Sequence, residues 1–260
     1  MSYAHNDDAV GGMPNAHGDA TPATEPAEFW EARYGERKQI WSGRVNAVLA
    51  EVATSLMPGR ALDLGCGEGG DVVWLAEQGW DAVGVDISPT AVRRGQAGAE
   101  DRGLAGRARF VALDLGDPRS LSRAAARSAA PASKGRGEFD LVTASFLQSP
   151  VELDRARILR EGAALVAPGG HMLVTSPAAP PPWASPDHLK AFRPISPDDE
   201  LAALSLDPGE WSPVIAEIRR RAATSPDGEP AELLDCVVLV RRTAWSATDG
   251  VKSGAVVLPQ

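Results

Sequence analysis

The 260-residue chain is short of cysteine, of histidine, of positive charge and of long apolar runs. Its two cysteines, Cys66 and Cys236, sit far apart and form no C-x-x-C, so a reducing cytoplasm is the simplest setting. No apolar stretch approaches the roughly 18 residues of a membrane span, and no membrane association is expected. The start, MSYAHNDDAVGG, has neither a basic segment nor an apolar one, so a secretory signal is not expected. Lys and Arg total 26 against 35 Asp and Glu, a net charge of −9, which lacks the footprint needed to grip a phosphate backbone and counts against nucleic acid as the partner. H-E-x-x-H, G-x-S-x-G and Walker loops are all absent, and no metal site is expected. With 43% apolar and 23% charged residues, the composition is that of a soluble globular protein of one large or two small domains.

Residues 1–26 contain no Lys or Arg and show no apolar period, and are expected to form a disordered arm. The segment AEFWEARYGERKQIWSG reads as a helix and turn. Val45, Val48, Leu49, Val52, Ala53 and Leu56 then recur at helical spacing up to Pro58-Gly59. From there strands and helices alternate: RALDL, DAVGVD, ARFVAL, FDLVTA and HMLVTS are near-continuous apolar strands. A helix carrying Val151, Ile158, Leu159, Leu165 and Val166 separates the last two. Such a pattern predicts a parallel sheet covered by helices on both faces. SPVIAEIRR and LLDCVVLVRR are too close together for a helical crossover and predict an antiparallel hairpin at one edge. Between strands three and four, residues 119–138 read as a solvated helix or mobile loop. Residues 177–194, PAAPPPWASPDHLKAFRP, read as a stiff extended segment and possible lid, and 244–260 as a loose tail.

The stretch RALDLGCGEGG poses the functional question. Gly65, Gly67 and Gly70 fit the dinucleotide pattern G-x-G-x-x-G, while Gly65, Gly67 and Gly69 fit G-x-G-x-G equally well. Asp86, at the end of the second strand, suits ribose hydroxyls in either case. Asp63, two residues before the first glycine, would repel a pyrophosphate at short range but suits a ligand carrying an ammonium or a sulfonium. Asp114, ending strand three, can accept from an adenine amino group. The balance favours a phosphate-free nucleoside ligand.

The segments ALDLGCGEGG, VGVDIS, FVALDL, FDLVTASFLQ and LVAPGGHMLV, in this order, resemble the motifs of class I S-adenosylmethionine-dependent methyltransferases. FRPISPDDELAAL and the last two strands are similar to the tellurite-resistance and thiopurine methyltransferase-like branch. The resemblance covers about residues 27–243. It implies a Rossmann-like, seven-stranded, mostly parallel sheet with an antiparallel last strand, and S-adenosyl-L-methionine as cofactor, leaving S-adenosyl-L-homocysteine. By the same resemblance Gly65, Cys66 and Gly67 line the cofactor, Asp63 faces its methionine moiety, and Asp86 with Ile87 holds the ribose. Asp114 with Leu115 meets the adenine, Ser145 lies near the transferring methyl, and Arg44 pairs with the cofactor carboxylate. Where that branch has a His-Arg pair after strand six, this chain has Arg219-Arg220, leaving Arg220 an anion-holding role.

Methyl transfer from a sulfonium is an in-line displacement with a good leaving group, so few essential side chains are required. His188 and Arg220 are the catalytic candidates. His5 and His17 fall in the arm, His171 reads as structural, and Cys66 as a packing residue. Trp30, Trp41, Trp183 and Trp211 are candidates for the pocket wall. The expected function is methyl transfer to a small-molecule nucleophile with an S, Se/Te, N or O acceptor. The alternatives are a protein or RNA methyltransferase on the same fold and a nicotinamide-dependent oxidoreductase.

Overall fold

The computed structural model describes residues 25–125 and 139–244. The expected arm up to residue 24, with His5 and His17, lies outside the described residues, as do the 126–138 part of the insertion and the tail beyond Ala244. Two helices come first, α1 (Pro26–Gly35) and α2 (Ala47–Thr54). The Asn46 side chain accepts the Val48 and Leu49 amides, which starts α2 two residues after Val45. Strands and helices then alternate: β1 (Arg60–Leu64), α3 (Gly70–Glu77), β2 (Asp81–Asp86), α4 (Pro89–Glu100), β3 (Ala108–Ala112), α5 (Ser120–Ala125), β4 (Phe139–Ser145), α6 (Arg155–Ala164) and β5 (Val166–Pro177). Helices α7 (Pro186–Ala191) and α8 (Pro197–Leu204) lead to the hairpin of β6 (Trp211–Thr224) and β7 (Pro230–Arg242).

The strand order is β3-β2-β1-β4-β5-β7-β6. Strands β1 to β5 pair in parallel, and β7 runs antiparallel to both of its neighbours. This is the expected Rossmann-like α/β fold. Connections reverse direction between β1 and β4, so a crevice opens at the carboxyl ends of these strands, the place where open α/β sheets bind ligands.

Alternate strand residues divide the core. Ala61, Leu141, Leu173 and Val237 face α2 and α3, whereas Leu62, Leu64, Val142, Val174 and Val238 face α5, α6 and α8. Each fully buried leucine contributes about 1.5–3 kcal/mol. Asp63 shares the face of Ala61 and is 3% exposed, a carboxylate standing where the strand pattern would put an apolar residue.

Three expectations are corrected. The 177–194 segment is not wholly extended, because Ser185 caps α7 and Pro186 fills its first turn, the same device that starts α4 at Ser88-Pro89. The insertion begins with α5, whose Leu121, Ala124 and Ala125 are buried in the core rather than solvated. Strand β5 begins at Val166, which the apolar spacing assigns to the preceding helix. Its register against β4 shifts between Phe139 and Leu141, and this irregularity absorbs the Pro-Gly-Gly.

Candidate functional site

The site is built on the turn from β1 into α3. Gly65, Gly67 and Gly69 all take positive φ, and Gly70 does not, so the conformation follows the G-x-G-x-G spacing. Gly70 is needed for another reason: a Cβ there would lie 2.7 Å from the Arg44 carbonyl oxygen, so only a glycine lets that backbone cross α3. The Gly65 and Cys66 amides both donate to the Val85 carbonyl, at 2.8 and 2.9 Å. The Gly67 amide donates to Oδ2 of Asp86 at 2.9 Å, and the Ser88 amide to Oδ1 at 2.9 Å. Asp86 therefore shapes the loop as well as facing the crevice. A carboxylate offers about four acceptor sites, so three backbone donors, Ile87 included, leave room for a ligand hydroxyl.

Three aspartates share this crevice. Oδ1 of Asp63 accepts the Thr143 hydroxyl at 2.7 Å, and no donor among the described residues reaches Oδ2. Asp71, in the first turn of α3, accepts the Asn46 amide at 2.6 Å and is faced by the Ser145 side chain. No ion pair to Asp63, Asp71 or Asp86 occurs among the described residues. Burial, then the neighbouring Asp71 and Asp86, push Asp63 up to about 8 despite the Thr143 bond. Burial likewise raises Asp71, against the Asn46 and Ser145 contacts. Asp86 rises to about 6 because burial outweighs its backbone donors. Burial and these carboxylates also push the Cys66 thiol up, so it packs inertly against the loop.

Helix α1 and residues 36–46 roof the crevice. Glu31 accepts the Ser88 and Thr90 hydroxyls at 2.5 and 2.6 Å, and the Thr90 amide at 3.0 Å. Glu68, inside the glycine turn, accepts the Ile40 and Trp41 amides at 3.0 and 2.9 Å and pairs with Arg94 at 2.8 Å. Arg94 also donates to the carbonyls of Tyr34 and Arg37. The Trp41 indole donates to the Tyr34 hydroxyl at 2.9 Å, and both lie against Gly67, where a Cβ would sit 3.1 Å from either.

Beyond β4 the chain turns sharply. Phe146 has a φ of 53°, a strained left-handed conformation for an aromatic residue. Its amide donates to Thr175, and the Arg221 guanidinium lies over its ring, 5.8 Å from the centroid. Arg221 in turn pairs with the buried Asp235 at 2.8 Å. The following carbonyl, Leu147, accepts Nε of Arg155 at 2.9 Å, while that guanidinium forks onto the buried Glu200 at 2.8 and 2.7 Å. Trp30 reaches down from α1 to the Ser149 hydroxyl at 3.1 Å.

The structure thus brings Asp63, Gly65, Cys66, Gly67, Asp86 and Ser145 around one crevice, with Ile87 following Asp86. Asp114 stands exposed just past β3 and accepts the Gly116 amide. The Leu115 side chain is in the core and its carbonyl accepts Arg157, so the side chain does not line the crevice. Arg44 has its backbone over Gly70 and its side chain exposed. His188 is half-buried with its ring 6.0 Å from that of Phe192, and no hydrogen bond among the described residues joins it to the crevice. Arg220 projects from the other face of β6 to the exposed Glu232, because successive strand residues alternate. The neighbour that reaches Phe146 is Arg221. His171 and Trp211 lie at the amino end of the sheet, opposite Arg241 and Arg242, away from the crevice. Asp71 and Arg221 escaped the sequence reading. The signal for Asp71 was its place one residue after the glycines; for Arg221 it was strand parity.

A methyltransferase-domain family model matches residues 34–202. The chain is 31% identical over 137 residues to 2-heptyl-1-hydroxyquinolin-4(1H)-one methyltransferase of Mycobacteroides abscessus, covering 52% of this chain and 54% of that protein. It is 34% identical over 70 residues to thiopurine S-methyltransferase of Psychrobacter cryohalolentis, covering 25% of this chain and 32% of that one. The chain spans less than two thirds of the length of the curated relatives it matches. Among solved structures, one described as converting a disulfide bond into a thioacetal group during echinomycin biosynthesis superposes with a TM-score of 0.62. It is 22% identical, with 86% of this chain and 95% of that chain covered, a likeness of fold.

Proposed function

The chain belongs to the methyltransferase-domain family, and from that premise we propose that it transfers a methyl group from S-adenosylmethionine to a small-molecule nucleophile. The observation that carries this reading is the trio of crevice carboxylates without cationic partners among the described residues. Two buried acids, both raised by burial and Asp63 further by Asp71, fit a ligand bearing an ammonium and a sulfonium and would repel a pyrophosphate, which disfavours a nicotinamide dinucleotide. When bound, S-adenosylmethionine supplies an electrophilic methyl group on a thioether leaving group.

This chain's own residues would then position rather than activate. Asp86 would accept from the ribose hydroxyls on its remaining lone pairs, the Gly65–Gly67 backbone would line the nucleoside, and Asp63 would hold the cation. Arg44, Ile87, Asp114 and Leu115 border the same crevice in this reading, the last through its backbone. Tyr34 and Trp41 would exclude water from above. On the acceptor side, Arg221 replaces Arg220 as the group that holds an anionic nucleophile, since it is the arginine at Phe146. Among the described residues no histidine is hydrogen-bonded to the crevice, which suits a thiolate, a selenium or tellurium oxyanion, or a neutral amine that arrives ready to attack. That chemistry, with the thiopurine S-methyltransferase match, supports the tellurite-resistance and thiopurine methyltransferase-like branch. The two curated relatives named above, among others, carry the names of small-molecule methyltransferases, which supports a small acceptor. Residues 27–243 form the methyltransferase domain in this reading, with 177–194 as its lid.

Calorimetric titration tests the cofactor: S-adenosylhomocysteine should bind in the micromolar range and NADH should not, and the reverse result ends the proposal. Tritiated methyl transfer into pooled thiols, metalloid oxyanions, amines and phenols then tests the acceptor. Label entering only protein or RNA would replace the small-molecule reading.

A further inference from the structure

Strand β6 closes one side of the sheet, with β7 on its inner edge. Among the described residues no backbone partner occupies its outer edge beyond Trp211. Such an edge offers a row of N–H and C=O groups to any extended chain that can match it, and proteins usually blunt it with proline, a bulge or charge. Here Pro213 and the bulge between Pro213 and Ile215 blunt only its beginning. From Ile215 to Ala222 the strand has neither proline nor glycine. Val214 and Ile218, two of the few large apolar residues left exposed, both stand on it, at 54% and 44% exposure. We propose that β6 pairs antiparallel with β6 of a second copy of this chain, about a two-fold axis at Ile218, so that a homodimer carries one continuous sheet. The inference rests on the strand and not on the cofactor.

The register follows from symmetry and charge. A two-fold axis perpendicular to the sheet keeps each face on its own side, and directly opposite residues share a face. The axis must therefore pass at a residue rather than between two. At Glu217, Arg219, Arg220 or Arg221 it would set a charge against its own copy, and like charges directly opposite are destabilising. At Ile215 or Ala216 the pairing runs into Pro213 and the bulge, and at Ala222 only the short stretch up to Thr224 remains. At Ile218 the two isoleucines meet, and Glu217 of each copy stands opposite Arg219 of the other. Strand alternation separates these contacts. Ile218 shares the face of its β7 neighbour Cys236, whereas Glu217 and Arg219 share that of Val237 and Asp235. On that second face Arg219 already pairs with Glu217 at 2.7 Å and with Glu51 of α2 at 3.1 Å, so the dimer joins two such clusters. Three consecutive arginines repel copies arriving in neighbouring registers, which leaves the edge open to one alignment.

Sedimentation velocity of the whole chain tests the surface. A single strand pair is a small interface, so the mass should rise from monomer toward dimer across micromolar concentrations up to about 200 µM. Ile218→Lys and Glu217→Arg each place like charges opposite one another and should weaken self-association at least about tenfold. Both side chains face solvent, so thermal melts of the two variants should stay near wild type. Combining Glu217→Arg with Arg219→Glu restores opposite charges across the axis and should return association to within about threefold of wild type. Mild oxidation of Ile218→Cys should give a disulfide-linked dimer, since Cα atoms directly opposite lie about 4.5–5.5 Å apart. Arg220→Cys should not cross-link, because its two copies are displaced by about 13 Å along the strands. Cys66 and Cys236 are buried and should leave the wild type uncrosslinked. A monomer throughout the concentration range would overturn the proposal. So would a dimer that neither charge-placing variant weakens, no recovery in the double reversal, or cross-linking through Arg220→Cys as fast as through Ile218→Cys.

Discussion

Two groups of buried acids lie on the same carboxyl edge of the sheet and are treated in opposite ways. At the β5–β7 side, Glu200 and Asp235 are each 1% exposed and each is matched by an arginine, Arg155 and Arg221. Over β1 and β2, Asp63 and Asp86 are 3% and 8% exposed and have no cationic partner among the described residues. A buried charge is tolerated only when paired. The matched acids are therefore part of the scaffold, which fixes the post-β4 turn. In the proposed reading, the unmatched ones are where a cation from outside would complete the electrostatics.

Breaking the matched pair should give the largest effect. Arg155→Ala strands Glu200 and should cost about 3–5 kcal/mol of stability, read by urea unfolding. A loss below about 1 kcal/mol would show that Glu200 is not held by that guanidinium. The unmatched side should respond with the opposite sign. Asp63→Asn should weaken S-adenosylhomocysteine binding by about 1.5–3 kcal/mol while raising ligand-free stability at pH 8 by at least about 1 kcal/mol. The sign follows from linkage: Asp63 and Asp86 ionise near 3.8 when unfolded and near 8 and 6 when folded, so the folded protein holds the protons longer. Their contribution is complete below the unfolded value and is lost as pH rises through about 6 and then 8. Thermal melts of the ligand-free protein from pH 5 to 8.5 should fall accordingly, and the slope should flatten in Asp63→Asn. A flat wild-type profile would mean those acids are solvated.

A finer contrast concerns Asp86, which shapes the turn and also faces the crevice. Asp86→Ala should cost about 1–3 kcal/mol of cofactor affinity, and equilibrium dialysis showing none would remove it from the site. The smallest effect belongs to Arg220. Its exposed pair with Glu232 contributes at most about 0.5 kcal/mol, so Arg220→Ala should leave both stability and methyl-transfer rate near wild type. Arg221→Lys, one residue on, keeps a cation beside the buried Asp235 and should lower turnover of an anionic acceptor. Equal behaviour of the two variants would erase the distinction drawn from strand parity.

The sheet was legible because its strands are near-continuous apolar runs between helices, and the hairpin because ten residues cannot carry a crossover. Asp63, the glycines and Asp86 were legible for a related reason: each belongs to a strand end or the turn after it, where local sequence dictates position. What stayed hidden depends on tertiary docking. Asp71 reads as an ordinary acid in the first turn of a helix, where the macrodipole favours it anyway. Tyr34 comes to the glycine turn only because Glu68 and Arg94 bind the segment that carries it. In RRR the choice between Arg220 and Arg221 needs the register of β6 on β7, which a bulge between Pro213 and Ile215 sets. Helix α7 was obscured by its prolines, although Ser185-Pro186 repeats a cap that Ser88-Pro89 had already made recognisable.

Glu68 fastens the covering segment to the very turn that would cradle the nucleoside. Entry and escape of an occupant would then require the same few hydrogen bonds to open, which would lengthen residence time without adding a contact to the ligand. Tryptic cleavage after the exposed Arg37 and Lys38 reports that opening directly, and it should slow in proportion to occupancy.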